Sequence, residues 1–205
     1  MNLLAHLYLA DATRTSKAGA LLGDRVKGPL RGDYPAPLEV GIQLHRRIDS
    51  YTDQHPVVRH LCRQFDPPYR RYAGILTDVY FDHVLANQWS EWHDDGLARF
   101  CDDAQQAVAD EWPHPPFRVD RLDSLSALLQ SYRSADGVRR SLAYLASAGR
   151  RARLPGGAFA VVRDEHAAIQ TAFGELFPDL LAFARREAAV IGSRYGIEAR
   201  FGPQS

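Results

Sequence analysis

Lysine is almost missing from this 205-residue chain: Lys17 and Lys27 stand beside 23 arginines, and the 25 basic side chains are matched by 25 Asp and Glu. With no net charge there is no bulk field to draw in nucleic acid or a membrane surface, so electrostatic recognition has to come from a local patch. Cysteine is equally scarce. Cys62 and Cys101 lie far apart and outside any C-x-x-C pattern, which argues against a disulfide framework and suits a reducing compartment. No apolar run approaches the ~18 residues that a membrane span requires. The opening Met-Asn-Leu-Leu-Ala-His-Leu-Tyr-Leu-Ala-Asp has neither the basic segment nor the small-residue cleavage site of a secretory signal, so it reads as a mature helix in the cytoplasm.

Alternating strand patterns are also nearly absent, and what remains is helical. Hydrophobic residues at 45% and charged residues at 24% are ordinary for a globular chain. Twelve prolines punctuate the sequence and leave proline-free stretches at 1–28, 38–55, 69–112, 117–154, 156–177 and 179–196, in which apolar residues recur at helical spacing. Thr and Ser caps divide the first stretch into helices near 2–11 and 16–28, and further breaks fall at Asp94-Asp95-Gly96 and Ser134-Ala135-Asp136-Gly137. The connecting loops, 29–37, 113–118 and 150–157, are too short to link domains. The expectation is one all-α domain over 1–205, a bundle of about nine helices.

The chemistry is concentrated early. Six of eight histidines lie in the first 93 residues, interleaved with Asp24, Asp49, Asp53, Asp78 and Asp82. At about 100° per residue, the helix over 38–54 places Leu38, Ile42, Ile48 and Thr52 in one arc with His45 and Asp49 at its centre. The helix around 69–91 repeats the pattern: Ile75, Val79, Leu85, Ala86 and Trp89 frame Asp78 and Asp82, with His83 at the edge. A solvated charged face would lie opposite these arcs. Grouped buried carboxylates cost several kcal/mol per ion unless neutralised, and a divalent cation neutralises them. His45/Asp49 and Asp78/Asp82 are each one turn apart, side by side on a helix. Imidazole and carboxylate without thiolate favour Mn, Fe, Zn or Mg. The alternative is a structural network in which Arg46, Arg47, Arg70 and Arg71 pair with the aspartates. His55 and His60 read as surface or capping residues, and His93, His114 and His166 as structural.

Four segments carry a resemblance to a known family: Asn2-Leu3-Leu4-Ala5-His6-Leu7-Tyr8-Leu9-Ala10, Gly19 through Gly28, Gly41-Ile42-Gln43-Leu44-His45-Arg46-Arg47-Ile48-Asp49 with Thr52-Asp53, and Asp78-Val79-Tyr80-Phe81-Asp82-His83 with Trp89. Over about the first 90 residues the chain resembles the acyl carrier protein phosphodiesterases. The resemblance implies an all-helical fold related to the HD-type phosphohydrolases, manganese dependence, and removal of the 4′-phosphopantetheine arm from holo acyl carrier protein. In place of the adjacent His-Asp pair of HD enzymes, the chain carries Asp82-His83.

The expected ligand pool is Asp24, His45, Asp49, Asp78 and Asp82, with Mn²⁺, or Mg²⁺ or another divalent metal, as the ion. Asp24 is also a catalytic candidate. His83 is a candidate proton donor to the leaving serine, because imidazole titrates near neutral pH, and His6 is a further candidate for either role. An acidic carrier protein calls for a basic rim, assigned to Arg25, Lys27, Arg46 and Arg47. Residues 14–31 hold five basic groups against one acidic. Two other readings of the same residues stand beside this one: a phosphohydrolase of a nucleotide or small phosphodiester, and a non-catalytic helical binding module.

Overall fold

Leu4 through Ala10 are all buried, so α1 (Leu3–Ala12) has no solvent face and forms the middle of the core. The computed structural model describes residues 1–112, 125–148 and 154–197. Among them there are eleven α-helices and one 3-10 turn, Tyr69–Tyr72, and no strand; the fold is all-α, and nine of the helices have seven or more residues. The order continues with α2 (Lys17–Leu22), α3 (Ala36–Gln54), α4 (Pro56–Gln64), α5 (Ala73–Asn87), α6 (Trp89–Trp92), α7 (Leu97–Glu111), α8 (Leu125–Ser131), α9 (Ala135–Ala148), α10 (Ala158–Asp164) and α11 (His166–Arg194). The expected loop at 113–118, residues 150–153 of the one at 150–157, and His114 lie outside the described residues.

Helix α5 contacts α1, α9, α10 and α11, while α3 is held between α2 and α11. Phe65, Phe81, Phe173 and Phe177 are fully buried, and burial of such a side chain stabilises by roughly 1.5–3 kcal/mol. Among the described residues, no helix is long and apolar enough to cross a membrane.

Three sequence expectations need correction. The helix expected over 16–28 ends at Leu22: Ser16 caps it by accepting from Gly19 N, but residues 23–28 leave as a turn and loop. The stretch 69–91 is a 3-10 turn followed by two helices, and Ile75 is exposed instead of facing the core. Pro178 does not break the chain, because α11 runs straight through it. A proline costs a helix interior about 3 kcal/mol, but Phe173, Leu176, Phe177, Leu180 and Ala184 are buried on both sides of it. This continuous apolar stripe outweighs the lost hydrogen bond.

Candidate active site

The N-terminus of α1 is fastened from another helix. Asn2 makes no side-chain cap; instead Asp82 of α5, wholly buried, accepts from Leu4 N at 2.8 Å and Ala5 N at 3.0 Å. Two otherwise orphaned helix donors are thereby satisfied. With α1 anchored, His6 faces α3 and stacks on His45, ring centroids 3.8 Å apart and planes 17° apart. Both rings are buried, at 3% and 4% exposure. Asp49, one turn along α3 from His45, lies between them: Oδ1 is 3.0 Å from His6 Nε2 and Oδ2 is 3.1 Å from His45 Nε2. Asp24, at 74% exposure, brings Oδ1 to 3.5 Å from His45 Nε2. Asp24, His45 and Asp49 line a cavity of about 270 Å³ with Gly23, Val26, Lys27, Gly28 and Arg46.

Burial and the neighbouring His45 charge push His6 down to about 4, so it is neutral at pH 7. Burial also opposes charge on His45, yet Asp24 and Asp49 outweigh it and hold this imidazole up to about 9. Burial works against ionised Asp49 too, but His45 and His6 keep its carboxyl far below the usual range. Contact with His45 lowers Asp24 against the smaller effect of burial. The cluster at pH 7 is therefore one cation, one neutral imidazole and two carboxylates.

The counter-charge for Asp78 is the Met1 ammonium, 3.0 Å from its Oδ1 and 3.4 Å from Asp49 Oδ1. Burial raises Asp78, and the ammonium only partly offsets this. The arginine network is not what forms. Arg46 donates to the Val26 and Gly28 carbonyls, Arg47 pairs with Glu187, Arg70 donates to the Phe65 carbonyl, and Arg71 lies over the Tyr72 ring.

Of the expected site residues, the structure brings together Asp24, His45, Asp49 and His6, with Lys27 and Arg46 on the cavity wall and Arg25 exposed beside it. Asp78 touches the cluster through Met1. Asp82 has both oxygens on backbone N–H groups, and burial pushes it up to about 7 despite them. His83 is turned elsewhere: its Nδ1 is 2.7 Å from the Tyr132 carbonyl, and burial lowers its basicity. Arg47 is committed to α11. Sequence reasoning singles out His6 only as a further candidate, and it gives no sign of the Met1 ammonium or of the carbonyl partners of Arg46. His55 and His93 reach Asp179 and Asp11, and His166 meets the Tyr80 hydroxyl.

Whether a divalent cation fits is answered by the donors. One ligand atom each from His6, His45 and Asp49 lies within 4.8 Å of the others, close enough for small side-chain movements to bring all three onto one ion. His6 Nδ1 and His45 Nδ1 are buried without a hydrogen-bond partner, and buried polar atoms are seldom left so. Three ligands leave open positions for water and substrate. The residues fit.

The family model described as acyl carrier protein phosphodiesterase matches residues 1–180. Relatives named acyl carrier protein phosphodiesterase include one from Serratia proteamaculans, 33% identical over 90% of this chain and 98% of its own. A second, from Yersinia pestis, is 34% identical over 91% and 99%, and a third, from Escherichia coli O157:H7, is 36% identical over 92% and 100%. No solved structure matches. With the family model covering most of its length and these relatives aligned nearly end to end, the chain belongs to the acyl carrier protein phosphodiesterase family.

Proposed function

We propose that this protein hydrolyses the phosphodiester joining 4′-phosphopantetheine to the serine of holo acyl carrier protein, releasing apo carrier protein and 4′-phosphopantetheine. Family membership supports the substrate class, and the observation that carries the reading is the convergence of His6, His45 and Asp49 beside an open cavity. His6, His45 and Asp49 would hold a divalent cation, manganese by the family resemblance. When bound, it supplies Lewis-acid polarisation of the phosphoryl oxygen and acidifies water toward neutrality.

The chain's own groups do the rest. Asp24, ionised and exposed at the cavity mouth, accepts the proton of the attacking water as its oxygen joins phosphorus. The same carboxyl returns that proton to the serine oxygen as the phosphorus–oxygen bond breaks, so the proton count closes. Lys27, on the cavity wall, faces the phosphoryl charge. Arg25 and Lys27 are exposed and form the rim that meets an acidic carrier protein, chiefly speeding encounter.

The test is a mass measurement on holo acyl carrier protein incubated with the enzyme and Mn²⁺. Loss of the phosphopantetheine mass from the carrier protein is expected. Cleavage of free pantetheine phosphodiesters or cyclic nucleotides at the same rate would overturn the reading.

A further inference from the structure

Helices α2 and α3 meet backbone to backbone. A Cβ on Gly19 would fall 2.6 Å from the Leu38 carbonyl oxygen and 2.9 Å from Gly41 Cα. One turn further along both helices, Gly23 meets His45, and a Cβ there would lie 2.2 Å from ring atoms Cγ and Cδ2. Nothing in the backbone demands glycine at 23, whose φ of −51° and ψ of −39° are ordinary helical values. The residue is small because the His45 ring occupies the space a side chain would take.

Immediately after His45, Arg46 reaches back over the same loop. One terminal nitrogen donates to the Val26 carbonyl at 2.6 Å and the other to the Gly28 carbonyl at 2.9 Å. The segment 23–28 is thus tied to α3 twice, by contact at Gly23 and by a two-pronged hydrogen bond at Val26 and Gly28. Asp24 sits between the ties, and that is where its carboxylate meets His45. A guanidinium spans two carbonyls as a rigid fork, which an ammonium cannot do.

We propose that Gly23 and Arg46 are positioning residues that clamp the 23–28 loop onto α3, Gly23 by seating the His45 ring and Arg46 by fixing the stretch that carries Asp24. Its catalytic consequence rests on the proposed cation site, while its geometric part does not. Gly23→Ala has no backbone penalty, but its methyl group takes the place of the His45 ring and displaces it. In the metal-free protein the His45 ring-proton resonances shift and their nuclear Overhauser contacts to the His6 ring are lost. Mn²⁺ affinity of the same variant, measured with the metal alone, falls at least about tenfold.

Arg46→Gln frees the loop. With holo acyl carrier protein, kcat falls about tenfold, and Arg46→Lys, which keeps the charge without the fork, restores only part of the loss. An Arg46 that acted only through its charge on the carrier protein would instead leave kcat intact, raise KM and be fully restored by lysine, and that result overturns the clamp. Unchanged ring resonances in Gly23→Ala overturn it as well. If the parent protein binds no Mn²⁺, the cation reading fails on its own, and the ring resonances still decide the geometry.

Discussion

His6 lies flat against His45 with the two rings 3.8 Å apart, and Asp49 touches a ring nitrogen of each. Two imidazolium ions would repel at that distance, so only one ring is charged. It is His45, which has two carboxylates in reach, whereas His6 has one and deeper burial. The stack comes from α1 and α3, and His6 and His45 are 39 positions apart in sequence.

Cation binding should therefore release a proton. A ligating imidazole must be neutral, His45 holds its proton up to about 9, and His6 has none to give above about pH 5. Mn²⁺ affinity should climb about tenfold per pH unit between pH 7 and about 9, then level off. Titration calorimetry in buffers of different ionisation enthalpy counts the proton: about one at pH 7.

The metal-free protein should show the opposite trend in stability. The folded pKa of His45 exceeds its unfolded value of 6.5. Its contribution is thus complete below pH 6.5 and fades as pH rises through about 9. Melting temperature should fall across that window in the parent, and the slope should shrink in His45→Gln.

Asp49→Asn and His6→Gln should each weaken Mn²⁺ binding at least about 100-fold, since each removes one of three close ligand groups. Activity with holo acyl carrier protein at fixed Mn²⁺ should fall in step.

Asp82→Ala should act on stability instead. Removing the carboxylate strands Leu4 N and Ala5 N in the core, which costs about 1–3 kcal/mol, or roughly 2–12 °C in melting temperature at about 2–4 °C per kcal/mol for a chain of this size. Mn²⁺ affinity of the folded protein should fall no more than about tenfold, through the loosened seat of His6. A 100-fold loss would make Asp82 a ligand.

Much of this was legible in the sequence, for reasons that also mark where legibility stops. His45 and Asp49 stand at the centre of an apolar arc, so helical periodicity alone turns them inward. His6 sits on a helix buried all round, where no arc exists to single it out. An inward aspartate reads the same whether it meets a cation or the N–H groups of another helix. The donors to Asp82 are 77 and 78 residues away, and only folding reveals them. Arg46 belongs to a basic run that reads as rim, yet its partners are backbone carbonyls, which leave no mark in composition. Pro178 signals a break locally, and the buried stripe of α11 overrides it.

Anomalous scattering from crystals grown with Mn²⁺ locates the ion directly. A single strong peak within bonding distance of His6, His45 and Asp49 is the expected result. A peak at Asp78 away from the stacked rings, or none anywhere at saturating Mn²⁺, would contradict the assignment.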